Sequence, residues 1–551
     1  MLIVDGGQPA VAVEWARGLS GPDPSRKGNA TSRPPTIAPM DGSSSSARWR
    51  IATGHEQTTL AARIVLEDGG NAVDAAVAAA LAACVAEPLL CSLGGGGHAL
   101  VQDDGRAPLA LDFFAHTPRQ RHHGELDFYP IIGNFGPDTQ EFHVGMGSIA
   151  TPGVVAGLYA LHERHGSRPV SALIGPATRL AREGLALNAV QAFTLQILEP
   201  IVRASNPGAR VFGLADREAP LPSPGAHLDN PDFGDFLEGL AREGPDLFYR
   251  GEAARRLTRD SVEGGGHLRL ADLERYRARW RRPLRWHYRD TTLWSTPPPA
   301  FGGLMVALAS SRLETHLPAD TGFGAPDHLA ALCLAMVESE DLRAQLEQPE
   351  LLASERSLRQ AFAGLAGKPQ QVSRRGTTHI SIDDGRGLAV AMTLSNGEAS
   401  GYVIPDSGIL MNNMLGEEDL NRSGFHNWPR NRRLASMMAP TIIRAGSERY
   451  LLGSGGSNRI RTALAQVICN LIDFRMDLNA AVNAPRLHLE RGHLSVEMAS
   501  EWGSEAQDWL LANHRQARTW PERNLFFGGV HAVGPDSAAA DGRRGGHAAV
   551  A

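Results

Sequence analysis

The spacing of apolar residues changes along the chain and divides it into regions. Residues 58–67 repeat with the period of an amphipathic helix. The alanine-rich stretch 72–86 predicts a second helix, small enough to pack inside a core, with Asn71 as its N-cap. Residues 153–375 are mostly helical in pattern. After Thr377 apolar and polar residues alternate, which predicts strands.

A hairpin is predicted where the pattern changes most sharply. A polar, arginine-bearing stretch, 370–376, gives way to a β-branched run that begins at Thr377, as at a boundary between a loop and a strand. Residues 383–387 fit a hairpin loop, and a second strand is predicted over 388–395.

The register of this hairpin is predicted from its apolar faces. Pairing Ile382 with Leu388 places the apolar residues of both strands on one side, and a slip by one residue would turn them away from the core. The same register places Thr377 opposite Thr393. It gathers hydroxyl groups at one strand end, beside two further polar residues: Thr377, Thr393 and Ser395, with Asn396 and Glu398. An inert strand pair lined by threonine and serine explains the same pattern, so the hairpin alone leaves catalysis open.

The first 46 residues are rich in glycine, proline and serine. This composition predicts a disordered leader, or an extension upstream of a true start at Met40. No basic region followed by an apolar stretch is visible at the N-terminus, so we expect no secretory signal and a cytoplasmic location. The longest apolar run, residues 75–86, is too short to span a bilayer.

Composition narrows the classes of partner. The 551-residue chain has 42% hydrophobic and 21% charged residues, which is typical of a globular protein. A net charge of −6 indicates no basic surface for nucleic acid or an anionic membrane. The four cysteines form no CxxC pair and the histidines show no ligand spacing, so we expect no metal and no organic cofactor.

Four consecutive glycines, 94–97, precede a strand-like stretch at 98–102. A phosphate-binding loop needs a following helix and a Gly-Lys-Ser/Thr ending, and neither is present. These glycines instead indicate a backbone that passes close to another segment.

Short motifs along the chain resemble those of the γ-glutamyltransferase family and occur in the family's order. They extend from about residue 50 to the C-terminus, and the ordered set makes the resemblance specific. The motifs are Gly69-Gly70-Asn71-Ala72-Val73-Asp74, Glu87-Pro88, the glycines 94–97, Thr151-Pro152-Gly153, Asp272-Leu273-Glu274-Arg275-Tyr276, Pro297-Pro298-Pro299-Ala300-Phe301-Gly302-Gly303, Thr377-Thr378-His379, Ser407-Gly408-Ile409-Leu410-Met411-Asn412-Asn413, Met438-Ala439-Pro440-Thr441, Gly453-Ser454-Gly455-Gly456 and Asn483-Ala484-Pro485-Arg486.

The resemblance implies the fold of an N-terminal-nucleophile hydrolase: α+β, a four-layer αββα sandwich of two stacked, mainly antiparallel sheets. It also implies that the chain cuts itself between Gly376 and Thr377. After the disordered leader 1–46, residues 47–376 would then form a large subunit and residues 377–551 a small, catalytic subunit. The two would remain intertwined as one domain, and a homo-oligomer of this pair is an open alternative.

By the same resemblance, Thr377 is the catalytic nucleophile. A threonine hydroxyl is a poor nucleophile at neutral pH, whereas the free α-amine that cleavage creates, with a reference pKa of about 8, can act as its general base. Thr377 would attack an acyl carbonyl, form an acyl-enzyme and pass the acyl group to water or an amine. Gly455 and Gly456 match the family's oxyanion-hole glycines, and Ser395 stands where a second threonine hydrogen-bonds the nucleophile.

The family's substrate-binding positions are only partly kept. Asn396, Glu417 and Ser436 fall at or next to positions that hold the α-amino and α-carboxylate groups of a γ-glutamyl substrate. Phe114 stands where well-studied relatives have an arginine that clamps the α-carboxylate. Such charge-assisted hydrogen bonds contribute roughly 1.5–3 kcal/mol each. Arg119 is a candidate substitute.

Three functions stand as hypotheses. The first is an autoprocessing hydrolase and acyltransferase that cleaves γ-glutamyl amides such as glutathione. The second keeps the nucleophile and the fold but acts on a non-glutamyl acyl group, by cleavage of an amide or a C–C bond. Phe114 favours it, and Met414 and Ala435 also depart from the family's glutamine and serine. The third, a binding protein that is never processed, is disfavoured by Thr377 and the glycine pair.

Overall fold

The computed structural model of the protein describes residues 49–134, 139–345, 376–421, 424–490 and 492–551. The predicted leader and the arginines that precede Gly376 lie outside the described residues.

Twenty-two strands and sixteen α-helices lie within the described residues. The strands are β1 (Arg50–Thr53), β2 (Gly96–Gln102), β3 (Leu109–Phe113), β4 (Tyr129–Asn134), β5 (Thr139–Val144), β6 (Leu185–Ala186), β7 (His227–Leu228), β8 (Arg279–Arg281), β9 (Leu284–Tyr288), β10 (Thr291–Ser295), β11 (Gly376–Asp383), β12 (Ala389–Gly397), β13 (Val403–Ile404), β14 (Ile409–Leu410), β15 (Thr441–Ala445), β16 (Glu448–Gly455), β17 (Leu487–Glu490), β18 (His493–Glu497), β19 (Arg518–Trp520), β20 (Gly529–Val533), β21 (Ala538–Ala540) and β22 (His547–Val550). The helices are α1 (Glu56–Glu67), α2 (Ala72–Ala86), α3 (Val154–His165), α4 (Val170–Glu183), α5 (Ala189–Ile197), α6 (Glu199–Val202), α7 (Asn206–Val211), α8 (Pro231–Glu243), α9 (Asp246–Tyr249), α10 (Glu252–Glu263), α11 (Leu270–Glu274), α12 (Gly302–His316), α13 (Pro326–Gln345), α14 (Arg459–Ile472), α15 (Leu478–Asn483) and α16 (Gly503–Asn513).

Strands from before and after residue 377 share two large sheets. The first sheet has the order β22-β1-β11-β12-β2-β3-β8, and its neighbouring strands are antiparallel. The second has the order β21-β20-β16-β15-β10-β9 and is also antiparallel. The predicted combination of helices with mainly antiparallel sheets is confirmed.

The two sheets contact each other through one cluster of buried side chains. The first sheet contributes mostly alanines and the second larger aliphatic residues: Ala52, Leu100, Ala110, Ala389 and Ala391 from the first, and Ile442, Leu451 and Val533 from the second. Small residues facing larger ones fill the space between the sheets at the density of a protein core. Helices α12 and α14 contact the second sheet.

Helix α2 is buried along its whole length, as its alanine-rich sequence predicts. Asn71 caps it: the side-chain oxygen accepts hydrogen bonds from the N–H groups of Val73 and Asp74, and the Asp74 carboxylate accepts one from the Asn71 N–H. The helix packs against the apolar face of β11 and β12.

The hairpin of β11 and β12 exists, but its predicted register is wrong. Ile382 pairs with Val390 rather than with Leu388. The difference is two residues, which leaves the apolar faces matched, so the hydrophobic pattern does not distinguish the two registers. The hydrogen bonds of the turn distinguish the two registers. The Asp384 carboxylate accepts hydrogen bonds from the N–H groups of Arg386 and Leu388, so the loop lies one residue closer to the C-terminus than predicted.

A glycine of β16 lets the two sheets approach each other at His379. A Cβ atom on Gly453 would overlap the His379 ring. The ring is fully buried, with Nδ1 2.8 Å from Thr393 Oγ1 and Nε2 2.9 Å from Ser381 Oγ. Burial lowers the pKa of His379 well below its usual value, so the ring is neutral.

In the described parts of the chain, no helix combines the length and the apolar character that crossing a bilayer requires.

We expect Gly453→Ala to lower the free energy of unfolding by about 1–3 kcal/mol, because the new methyl group must displace the buried His379 ring or separate the sheets. The matched control is Gly322→Ala, because a Cβ atom there meets no atom within 4 Å. Urea unfolding measures both variants. Equal stability of the two would contradict the close approach.

Candidate active site

Thr377 lies in a β-bulge at the start of β11. The pairing with β12 is interrupted between Gly376 and Thr378, and His379, not Thr377, lies opposite Thr393. Bulges insert one residue and redirect its side chain. Thr377 is 2% exposed, and its hydroxyl lies 3.5 Å from the Ser395 hydroxyl. The predicted meeting of these two side chains is therefore present, through a bulge rather than through the predicted register.

The carbonyl group of Gly376 accepts hydrogen bonds from two hydroxyls. Thr377 Oγ1 donates to it at 2.8 Å and Ser395 Oγ at 2.7 Å. On its other side, the Gly376 N–H donates to the buried Glu398 carboxylate at 2.9 Å. The carbonyl is thus polarised beside the side chain that would attack it.

Gly455 and Gly456 follow one another at the end of β16, next to Thr377. A Cβ atom on Gly455 would overlap the main-chain oxygen of Thr377, so only glycine permits this approach. Gly456 has φ +113°, a conformation that favours glycine. Both predicted oxyanion glycines therefore lie at the bulge that carries Thr377.

Asn396 follows Ser395 on β12, and Glu417 lies close to the next residue, Gly397. Gly397 pairs with Gly376, and a Cβ atom on Gly397 would overlap the Glu417 carboxylate. Asn396 is fully buried and donates to Leu410 O at 3.4 Å, while its side-chain oxygen has no hydrogen-bond partner among the described residues. The structure thus places both predicted residues in or beside the end of β12 that pairs with Gly376.

Phe114 and Ser436 form a different, packed group. Phe114 stacks on His98, with ring centroids 5.7 Å apart, and His98 Nε2 lies 3.0 Å from the Ser436 hydroxyl. All three side chains are buried, and burial lowers the pKa of His98 to about 4, so its ring is neutral. Phe114, which the resemblance aligns with an arginine of the family, therefore belongs to a stacked pair of uncharged rings.

The buried Arg433, which no sequence pattern indicated, contacts this group. Arg433 donates to the Phe114 carbonyl and to the Tyr276 hydroxyl, and its Nε lies 3.2 Å from the Asp112 carboxylate. Its charge is therefore paired within the protein. Arg119, the candidate substitute, donates its backbone N–H to Asp272 at 2.8 Å and has a partly exposed side chain.

An open cleft lies beside Gly376. Gly376, Glu398 and Gly456 line one part of it, and the rest of its lining is apolar apart from one threonine and two arginines: Leu90, Val190, Thr194, Ile197, Leu198, Leu525, Phe526, Arg459 and Arg544. Phe114, Arg119, Asn396, Glu417 and Ser436 are not among these described lining residues. No motif in the sequence indicated the two arginines.

A second cleft shares Leu90, Val190, Thr194 and Arg544 with the first, and Glu87 lines it. Glu87 is buried, and Thr58 Oγ1 donates to its carboxylate at 3.3 Å. Burial raises the pKa of Glu87 to about 7.

Comparison of the sequence with known protein families identifies the family of this chain. The family model described as Gamma-glutamyltranspeptidase matches residues 58–551. The chain belongs to the γ-glutamyltranspeptidase family. Its members include hydrolases and acyltransferases, and the chain is an enzyme of this kind.

Two curated relatives carry different activities in their names. The chain is 30% identical to the glutathione hydrolase proenzyme of Escherichia coli K12 over 461 residues, which cover 77% of this chain and 78% of the relative. It is also 30% identical to the acylase ACY 1 proenzyme of Pseudomonas sp. strain SE83 over 521 residues, covering 89% and 90%.

Among solved structures, the cephalosporin acylase from Bacillus halodurans superposes with a TM-score of 0.76 at 22% identity, covering 94% of this chain and 99% of that one. This similarity shows a shared fold.

We expect stability to fall as pH rises towards 7, in part because of Glu87. Its folded pKa, about 7, is raised above its ordinary value of 4.5, so its favourable contribution is fully present below pH 4.5 and is lost as pH rises through 7. Glu87→Gln should remove up to about 3 kcal/mol of this pH dependence, since the group is fully buried.

Urea unfolding at a series of pH values from weakly acidic to weakly basic measures the effect as the difference between wild type and variant. Glu67→Gln is the control, because Glu67 is exposed on α1. A Glu87→Gln protein whose stability follows the wild-type pH profile would refute the assignment.

Proposed function

We propose that the protein is an autoprocessing N-terminal threonine hydrolase and acyltransferase that works through an acyl-enzyme on Thr377. The observation that carries the proposal is the Gly376 carbonyl held by the hydroxyls of Thr377 and Ser395 at 2.8 and 2.7 Å. The proenzyme names of both curated relatives support it. The proposed architecture is the four-layer αββα sandwich, with α2 outside the first sheet and α12 and α14 outside the second.

Self-cleavage follows from this arrangement. Thr377 Oγ1 attacks the Gly376 carbonyl carbon, a C–O ester bond forms, and the C–N bond breaks as the Thr377 nitrogen takes a proton. Water then hydrolyses the ester, which leaves a carboxylate on Gly376 and restores the Thr377 hydroxyl beside a free α-amine. The products are segments 47–376 and 377–551, preceded by the leader, whose strands interleave in both sheets.

In turnover, the α-amine of Thr377 takes the hydroxyl proton as the oxygen attacks the substrate carbonyl, and returns it to the leaving amine. Gly455 and Gly456 stabilise the oxyanion with backbone N–H groups, and Ser395 hydrogen-bonds the nucleophile. Water or an amine then accepts the acyl group. Because the family's reaction needs only these groups, the proposal includes no cofactor.

Two acyl groups are candidates. Asn396 and Glu417 beside the nucleophile, together with the glutathione hydrolase relatives, support a γ-glutamyl group. The stacked, neutral group of Phe114, His98 and Ser436 favours a non-glutamyl acyl group, because it offers no cation to an α-carboxylate. The acylase relatives agree with the second candidate, and the geometry supports it better.

We expect Thr377→Ala to remain a single chain without activity, because the attacking hydroxyl is gone. Thr377→Ser is the control, since it keeps a hydroxyl and should be cut at the same bond. A denaturing gel separates the cut and uncut chains, and the masses of the fragments locate the cut. A Thr377→Ala chain that is cut after Gly376 would contradict the assignment of Thr377 as the nucleophile.

We expect Ser395→Ala to slow both self-cleavage and acyl transfer by about 10²–10³, the usual effect of removing one donor from a reacting carbonyl. Ser395→Thr keeps the hydroxyl and should restore most of the rate. A time course of self-cleavage measures the first step, and the rate of hydrolysis of a chromogenic acyl anilide measures acyl transfer. Wild-type rates in Ser395→Ala would show that this hydroxyl has no part in the reaction.

A further inference from the structure

Glu398 lies against the residue whose carbonyl group self-cleavage would attack. Its Oε1 accepts a hydrogen bond from the Gly376 N–H at 2.9 Å, and the residue is 2% exposed. The amide nitrogen of Gly376 is separated from the carbonyl carbon by the Cα atom alone, so a contact that fixes the nitrogen also restricts the carbonyl group. Glu398 therefore holds the scissile peptide bond from its N-terminal side.

Gly376 depends on such a restraint because it has no side chain. Glycine has the widest choice of φ and ψ, and rotation about these bonds turns the carbonyl group away from the attacking hydroxyl. A Cβ atom on Gly376 would lie 2.7 Å from the main-chain oxygens of Gly397 and Leu89, so the packing here permits no side chain. Hydrogen bonds at both ends of the residue fix its orientation instead: Glu398 at the N–H, and two hydroxyls at the carbonyl.

The turn that carries Glu398 is strained. Ala399 has φ +79° and is fully buried, and alanine adopts this left-handed conformation only at a cost in free energy. Gly397, on the other side of Glu398, has φ +66°. Non-glycine residues in such conformations persist where their surroundings leave no alternative, and they concentrate at functional sites. The conformation of Ala399 therefore indicates that the fold maintains one orientation of Glu398.

Asn413 anchors this turn. It is fully buried, its Oδ1 accepts a hydrogen bond from the Glu398 N–H at 3.0 Å, and its Nδ2 donates to the His143 carbonyl oxygen at 3.3 Å. A Cβ atom on Gly397 would overlap Asn413 Oδ1, so the turn comes this close only because Gly397 has no side chain. The backbone of Glu398 is thus tied to β5, and its side chain reaches Gly376 from an anchored position.

We propose that Glu398 is a positioning residue for self-cleavage, which holds Gly376 so that its carbonyl carbon stays beside the Thr377 hydroxyl. The inference rests on the proposed function, because it takes Thr377 as the nucleophile that cuts the chain. What the reaction needs from Glu398 is an acceptor oxygen at the right reach, and a neutral acceptor of the same length would serve. The role ends with the cut, because Gly376 is then no longer joined to Thr377.

The test compares three substitutions of Glu398 in the full-length chain. We expect Glu398→Ala to slow self-cleavage by about 10- to 100-fold, the factor that corresponds to a lost hydrogen bond to a charged group. Glu398→Gln keeps an acceptor oxygen at the same reach and should stay within about threefold of wild type. Glu398→Asp keeps the charge but is one methylene shorter, so it should be cut almost as slowly as Glu398→Ala.

Cell-free synthesis supplies newly made chains, and denaturing gels at successive times give the rate constant of cleavage. Glu522→Ala, at an exposed glutamate, is the matched control and should be cut at the wild-type rate. The Tm of each variant, measured in the uncut Thr377→Ala background, shows whether it is folded. If Glu398→Ala has a lowered Tm, the comparison of Glu398→Gln with Glu398→Asp decides, because both keep a polar side chain of nearly the original size.

Three results would overturn the inference while leaving Thr377 as the nucleophile. The first is a Glu398→Ala chain that is cut as fast as wild type. The second is fast cleavage of Glu398→Asp with slow cleavage of Glu398→Gln, because charge rather than reach would then matter. The third is equally slow cleavage of all three folded variants. A wild-type chain that is never cut between Gly376 and Thr377 would instead refute the proposed function, and the inference with it.

Discussion

The site depends on a close approach of two backbones. Where β16 passes β11, Gly453 faces the His379 ring and Gly455 faces the main-chain oxygen of Thr377, and neither position has room for a side chain. This approach places the glycine turn, Gly455 and Gly456, against the bulge that carries Thr377, the proposed nucleophile. The alanine-rich contact between the two sheets allows it, because small side chains bring the first sheet close to the second.

The sequence predicted elements better than it predicted their alignment. The cap at Asn71 and the buried helix α2 followed from local signals, and the hairpin followed from alternation. The register did not, because a shift of two residues preserves alternation and only the hydrogen bonds of Asp384 decide between the alternatives. The bulge at Thr377 has no signature in the pattern, although the proximity of Thr377 to Ser395 was predicted.

The candidate site was predictable where motifs carry it and unpredictable where tertiary contacts do. Thr377, Gly455 and Gly456 stand in short motifs, so resemblance located them. Arg544 and Arg459 lie far apart along the chain, and only folding brings both into one cleft. The ion pair between Arg433 and Asp112 likewise joins two distant segments of the chain, so no local pattern predicts it.

The burial of Thr377 has a kinetic consequence for the proposed function. With 2% of the residue exposed and the Gly376 carbonyl held against its hydroxyl, the continuous chain would act on no molecule but itself. Activation is then a first-order event within one chain, and its rate does not depend on protein concentration. Each newly folded molecule would activate itself at a rate set by the geometry around one peptide bond, the bond between Gly376 and Thr377.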